Sequence, residues 1–205
     1  MAQAVSEAII ESKRVFVVGH KEMDFDCMGA ALCMSRMAAA YGKEVYVVSK
    51  SGGIESQLKE AFDSFYDDLN GRHRFLEDGE ASRMIKDADL LIVVDHNNPN
   101  QTGAPVTLDN ANRIIVIDHH RRSADFVGNP ILVYVETSAS STCELAAEFL
   151  PYQTNTVQLS EIEATFMYLG ILVDTNRFRQ RTGSRTFEAA AYLKNHGVDP
   201  LKAEN

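Results

Sequence analysis

Three short runs constrain this chain more than anything else in it: Val15-Phe16-Val17-Val18-Gly19-His20, Leu91-Ile92-Val93-Val94-Asp95 and Ile114-Ile115-Val116-Ile117-Asp118-His119-His120. Each is a short apolar, β-branched stretch that stops on an imidazole or a carboxylate. The first continues as His20-x-x-x-Asp24-x-Asp26. In an open parallel sheet the carboxyl ends of the strands line one crevice, so runs of this kind bring their terminal side chains to one place. Gathered carboxylates repel one another, and a bound divalent cation is the natural reason to collect them.

Around these runs, strand and helix signals alternate. A short helix over Val5 to Glu11 leads into a strand from Arg14 to Gly19, and Asp26 to Tyr41 reads as a helix closed by Gly42. Glu44 to Ser49 is a second strand, Ser51-Gly52-Gly53 a turn, and Ile54 to Phe65 has weak helical spacing. Asn70 to Arg74 is expected to be a surface loop. Glu80 to Lys86 is a short helix before the strand Leu90 to Val94, and Asn97-Asn98-Pro99-Asn100 is turn chemistry. Arg113 to Ile117 and Ile131 to Val135 supply further strands, after which only helices follow, over Thr142 to Phe149, Ser160 to Val173 and Arg185 to Asn195. The pattern predicts an α/β fold: a doubly wound, mainly parallel sheet with flanking helices and a helical C-terminal layer.

Composition narrows the function classes. With 205 residues, 45% of them hydrophobic, the chain supports one sizeable core. A net charge of −9 opposes a duplex nucleic-acid surface, which needs clustered Lys and Arg. Cys27, Cys33 and Cys143 have no C-x-x-C spacing, which removes a disulfide framework and a thiolate zinc site and fits a reducing cytoplasm. There is no run long enough for a membrane span, no export signal, no repeat, no Walker A loop and no G-x-G-x-x-G. An EF-hand is rejected because Met28 and Ser35 stand where oxygen ligands belong.

His20, Asp24, Asp26, Asp95, His119 and Asp174, the last at the end of the apolar helix Phe166 to Val173, form a donor set rich in oxygen with a minority of imidazole. That mixture suits Mn²⁺ first, with Mg²⁺ or Co²⁺ as alternatives. Six protein donors exceed what one catalytic ion can take while keeping water sites open, so they divide between two ions sharing a carboxylate. Such a pair activates water and clamps phosphate oxygens, which points to phosphoester or phosphoanhydride hydrolysis.

Other polar residues have plainer readings. Ser141-Thr142-Cys143-Glu144 is a capping box whose helix N-terminus could also receive a phosphate oxygen. Arg121 reaches substrate phosphate or, with Arg122, gives electrostatic support. His73 is expected to be a solvated loop residue, His96 a crevice wall or phosphate contact, and His196 a partner for a helix C-terminus.

Gly19-His20-Lys21-x-x-Asp24-x-Asp26-x-x-Gly29-Ala30, Val93-Val94-Asp95, Val116-Ile117-Asp118-His119-His120-Arg121-Arg122, Ala139-Ser140-Ser141-Thr142-Cys143-Glu144-Leu145 and Asp174-Thr175 resemble, in order, the motifs of the DHH phosphoesterase superfamily. With Arg181-Thr182-Gly183-Ser184-Arg185-Thr186-Phe187, they are most similar to the membrane-anchored cyclic-di-AMP phosphodiesterases of the GdpP type. The resemblance implies that residues 1–205 are one DHH metal-binding domain cut from a longer protein, with its C-terminal substrate-binding domain outside the chain and the parent held at the cytoplasmic face of a membrane. It implies two Mn²⁺: one on His20 and Asp24, the other on Asp26, His119 and Asp174, with Asp95 bridging. Asp118 would orient His119, His120 would contact the phosphate and assist the leaving oxygen, and Arg121, Ser140 and Ser141 would meet the substrate. The implied substrate is a cyclic dinucleotide or short nucleotide, cyclic-di-AMP being opened to 5′-pApA. Rival expectations are an oligoribonuclease or pAp phosphatase, an inorganic pyrophosphatase, and a metal-loaded nucleotide-binding module that needs its partner domain. A homodimer is compatible with the sequence.

Overall fold

The computed structural model describes residues 1–49 and 55–199; the expected turn at Ser51-Gly52-Gly53 lies outside the described residues. Six strands form one sheet: β1 (Arg14–Val18), β2 (Glu44–Val48), β3 (Phe75–Leu76), β4 (Leu90–Val94), β5 (Ile114–Asp118) and β6 (Leu132–Val135). Their order is β3-β2-β1-β4-β5-β6, and every pairing is parallel. The chain winds outward in one direction from β1 to β3 and in the other from β4 to β6. Between β1 and β4 the connections therefore diverge, which opens a crevice at the carboxyl ends of the strands.

Strand sequences explain why both sheet faces are covered. Successive side chains point to opposite faces. Val15, Val17, Ile92, Val94, Ile115 and Ile117 thus enter the larger core, while Phe16, Val18, Leu91, Val93, Ile114 and Val116 enter a second one. A nearly continuous apolar run in each central strand is what a parallel sheet buried on both sides requires. The larger core is closed by α1 (Ala2–Glu11), α2 (Phe25–Ala40), α7 (Thr142–Phe149), α8 (Glu161–Asp174) and α9 (Ser184–Lys194). The smaller one is closed by α5 (Asp78–Met84) and α6 (Pro105–Asn110). Helices α3 (Ser56–Ser64) and α4 (Tyr66–Asn70) sit beside the larger core through Leu58, Phe62 and Leu69. The helical C-terminal layer is α7, α8 and α9. Among the described residues no helix is long and apolar enough to cross a membrane.

Helices α2 and α8 meet at backbone distance, and two glycines permit it. A Cβ on Gly29 would lie 2.8 Å from the Cα of Met167, and one on Gly170 would lie 2.7 Å from the Cα of Asp26. This contact brings Asp26, in the first turn of α2, beside the end of α8 where Asp174 sits.

One expectation is corrected here and one element was missed. His73 is not a solvated loop residue: it is 3% exposed, with Nδ1 2.9 Å from Ser35 Oγ and Nε2 2.8 Å from Glu163 Oε1. Arg72 grips the same carboxylate at 2.7 and 3.2 Å. Burial would raise the pKa of Glu163, but the hydrogen bonds from His73 and Arg72 hold it down at about 2. Asn70 to Arg74 accordingly ties α2, α4 and α8 together; Arg74, at its end, reaches Glu44 at 3.1 Å. The missed element is the helix α6, which the sequence did not announce. Pro105 starts it, and the carboxylate of distant Asp78 accepts from Val106 N at 3.0 Å and Thr107 N at 2.8 Å.

Candidate metal centre

Strand register sets the first contacts. Val18 pairs with Val93, so two residues later His20 and Asp95 stand side by side; Val94 pairs with Ile117, so Asp95 also neighbours Asp118. His20 leaves β1 over Gly19, where a Cβ would lie 2.0 Å from Cys27 Sγ, so only glycine lets the turn close onto α2. The His20 backbone N–H donates to Cys27 Sγ at 3.3 Å. Asp24 caps α2 by accepting from Cys27 N at 2.9 Å. Asp95 takes a left-handed conformation, φ 62°, uncommon outside glycine and asparagine, and thereby turns its carboxylate into the crevice.

Asp95 is the hinge of the cluster. Its Oδ2 lies 3.3 Å from His20 Nε2, while its Oδ1 lies 3.5 Å from His119 Nε2 and accepts from Thr142 Oγ1 at 2.8 Å. On one side His20 Nε2 is also 3.6 Å from Asp24 Oδ1. On the other, His119 Nε2 is 3.6 Å from Asp26 Oδ2 and 3.1 Å from Asp174 Oδ2. Asp26 is fixed by the start of α7, its oxygens accepting from Thr142 N and Cys143 N, both at 2.7 Å. Those two N–H groups hold a protein carboxylate, which leaves neither of them for a phosphate.

The electrostatics show a site short of positive charge. Burial, followed by repulsion from Asp174, raises the pKa of Asp26; burial, followed by repulsion from Asp26 and Asp24, raises that of Asp95 well above the ordinary carboxylate value. Burial alone would lower the histidines, yet the neighbouring Asp24 carboxylate helps lift His20 to about 11, and Asp174 and Asp26 lift His119. His119 Nε2 is nevertheless buried with no acceptor in hydrogen-bonding geometry. A buried nitrogen without a partner, aimed among three carboxylates, fits divalent cations well. His20, Asp24 and Asp95 would hold one, and Asp26, His119, Asp174 and the second oxygen of Asp95 the other.

Other expected residues fall differently. Asp118 orients His120, not His119: its Oδ1 takes His120 Nδ1 at 2.8 Å and His120 N at 3.1 Å, and its Oδ2 takes Asn97 Nδ2 at 2.6 Å. Burial would raise Asp118, but the His120 and Asn97 hydrogen bonds hold it below the ordinary carboxylate range. His120 itself is more than half exposed in the crevice. Ser140 and Ser141 do not reach the crevice. Both are fully buried: Ser140 Oγ donates to Glu144 Oε2 at 2.5 Å, and Ser141 Oγ accepts from Glu144 N at 3.0 Å. The capping box is half made, because the Glu144 carboxylate turns to Ser140 and Thr186. Ser138 and Ala139 line the wall in their place. Arg122 stacks on Phe126, 4.0 Å from the ring centre, whereas Arg121 faces the crevice. His96 is a buried wall residue with Nδ1 on Val94 O at 2.9 Å, and His196 binds the Tyr192 carbonyl in the last turn of α9 at 3.0 Å.

Sequence reasoning missed Asn97 and Cys27. Asn97 reads as a turn residue, yet besides Asp118 it fixes the chain after β5 through Arg121 O at 3.2 Å and Ser123 N at 2.8 Å. Cys27 has its Sγ within 4.8 Å of donor atoms of His20 and Asp95. Neither side chain's reach is signalled by residue type or spacing. The whole crevice has a volume of about 1140 Å³.

The profile of the "DHH family, N-terminal domain" matches residues 14–171. The chain is 40% identical over 201 residues to the cyclic-di-AMP phosphodiesterase PdeA of Listeria monocytogenes, covering 98% of this chain and 31% of that protein. It is 39% identical over 203 residues to the cyclic-di-AMP phosphodiesterase GdpP of Bacillus subtilis, covering 98% of this chain and 30% of that protein. A probable manganese-dependent inorganic pyrophosphatase of Enterococcus faecalis is 25% identical, over 93% of this chain and 60% of its own length. Among solved structures, an exopolyphosphatase-related protein from Bacteroides fragilis superposes with a TM-score of 0.79 at 19% identity, over 98% of this chain and 58% of that one. The chain therefore spans less than a third of each of these two phosphodiesterases.

Proposed function

The chain belongs to the DHH family, and on that footing we propose that it is the catalytic metal-binding domain of a phosphodiesterase that opens cyclic-di-AMP to 5′-pApA. The observation that supports the metal-dependent hydrolase is Asp95, whose two oxygens face two separate donor groups, 3.3 Å from His20 and 3.5 Å from His119, while the choice of nucleotide rests on the 39–40% identity to the cyclic-di-AMP phosphodiesterases. A carboxylate so placed is suited to two cations at once, and the oxygen and imidazole donors suit Mn²⁺, the metal named for the pyrophosphatase relative. When bound, a pair of such ions lowers the pKa of water and neutralises charge on a phosphodiester.

The chain's own residues divide the remaining work. Asp118 holds the Nδ1 proton of His120, so the ring presents Nε2 to the crevice, where it donates to a phosphoryl oxygen and passes its proton to the leaving sugar oxygen. Asn97 keeps Asp118 ionised and in place. Arg121 meets the phosphate undergoing attack. Regions of the longer parent protein supply the remaining nucleotide contacts.

The test is product analysis on the purified Mn²⁺-loaded chain with cyclic-di-AMP, pAp, a short oligoribonucleotide and pyrophosphate. Linear 5′-pApA from cyclic-di-AMP is expected. Orthophosphate from pyrophosphate with cyclic-di-AMP left intact would overturn the substrate.

A further inference from the structure

The crevice lies in a protein of net charge −9 and is floored by carboxylates, yet its lip carries cations. Lys21 follows β1, Arg121 follows β5, and Arg181 follows α8; all three line the crevice. Among the described residues none of the three side chains has an acidic partner, although basic residues elsewhere pair readily, as Arg14 with Asp89 at 2.7 Å and Arg185 with Glu148 at 2.6 Å.

Arg181 is the one held most deliberately. Its loop starts directly after Asp174 and has four left-handed residues, Asn176, Arg177, Phe178 and Arg181, the last at φ 54°. Such backbone costs of order 1 kcal/mol per residue and persists where surrounding contacts impose it. Here they do. Thr175 is fully buried; its hydroxyl donates to Ile171 O at 2.6 Å and accepts from Phe178 N at 2.9 Å, and its carbonyl accepts from Arg179 N and Gln180 N. Phe178 is wedged between Tyr168 and Phe187, with ring centres 6.1 and 5.4 Å away. Gly183 N closes the loop on Thr186 Oγ1 at 3.0 Å. Arg181 is thus brought to the crevice wall by the same loop that begins at a metal-ligand candidate.

We propose that Arg181, assisted by Lys21, forms a second anion subsite that grips the phosphate of the substrate that is not being cleaved. The inference rests on the phosphodiesterase reading above and deepens it. The substrate class becomes a dianion with two phosphates held apart by sugars. The crevice of about 1140 Å³ exceeds what inorganic pyrophosphate fills and matches the size of larger organic ligands. A planar guanidinium is also the better fork for phosphate oxygens, so a lysine there should serve less well.

The test compares two phosphodiesters on the Mn²⁺-loaded chain: cyclic-di-AMP, with two phosphates, and bis(p-nitrophenyl) phosphate, with one. Arg181→Gln should raise KM for cyclic-di-AMP about ten- to a hundred-fold, the loss of one charge-assisted hydrogen-bonding partner, while bis(p-nitrophenyl) phosphate turnover stays within about two-fold. Arg181→Lys should restore part of the loss. Equal losses on both substrates, or none on cyclic-di-AMP, would overturn the inference. Should the wild-type chain cleave only bis(p-nitrophenyl) phosphate, the substrate reading fails. Calorimetric binding of a phosphorothioate cyclic-di-AMP analogue then decides the subsite separately: weaker binding to Arg181→Gln supports it and unchanged binding refutes it.

Discussion

Replacing Asp95 with asparagine should stabilise the metal-free protein and abolish its stabilisation by Mn²⁺. The substitution keeps the shape, the left-handed backbone at φ 62° that asparagine tolerates, and an oxygen for Thr142 Oγ1. It removes one buried negative charge repelled by Asp26 and Asp24, the cause of its raised pKa after burial itself. A like-charge pair about 4 Å apart repels by about 4 kcal/mol at an effective dielectric near 20, and the attraction to neighbouring His20 and His119 offsets most of it, leaving a net gain of about 1–2 kcal/mol. For a chain of this size that is about 2–8 °C in Tm. With metal the sign reverses. Each ion at a hundred times its Kd adds about 2.7 kcal/mol, so two add about 5 kcal/mol and raise the wild-type Tm by about 10–20 °C. Asp95→Asn should lose nearly all of that shift, because one carboxylate serves both groups of donors, whereas His20→Ala should lose about half. Differential scanning calorimetry with and without Mn²⁺, alongside metal analysis, reads both quantities. A lower metal-free Tm for Asp95→Asn, or an undiminished Mn²⁺ shift, would refute the reasoning.

Three further outcomes follow from the geometry. His120→Gln should lower kcat about 10²–10⁴-fold with metal content unchanged, since His120 is placed to move a proton; loss of an ion in that variant would make it a ligand instead. Glu163 has a folded pKa of about 2 against an ordinary 4.5, so its contribution is complete above pH 4.5 and is lost as pH falls through about 2. Glu163→Gln should flatten that acid limb in urea titrations and cost about 3 kcal/mol at neutral pH by removing the charged partner of buried His73 and partly exposed Arg72. Gly170→Ala forces a Cβ to 2.7 Å from the Asp26 Cα and should cost about 1–3 kcal/mol in thermal unfolding while weakening Mn²⁺ binding through displaced Asp26. A neutral effect there would mean that α2 and α8 have slack.

How far the sequence reaches depends on whether the determining neighbours lie along the chain or across the fold. The strands were legible because β-branched runs carry their own period, and Leu90 to Val94 is the observed β4. Helices α7 and α8 were legible from Ser141 and Ser160, whose caps act over three residues. The donor set was legible because strand ends in a parallel sheet share a crevice. Helix α4 and strand β3 were not, being five and two residues long and formed only against their neighbours.

By itself, then, the sequence determined the longer strands and helices and their alternation, the double-faced burial of the sheet and the kinds of donor gathered at its carboxyl edge, all set by residue type and local period. Tertiary structure decided which group holds which. It gave Asp118 to His120, spent the start of α7 on Asp26 across 117 residues, and buried His73 on Glu163 across 90. It also sealed Ser140 and Ser141 away from the crevice. Hydrogen bonds and ion pairs form between whatever atoms the packed core brings within about 3 Å, and no local pattern along the chain encodes that choice.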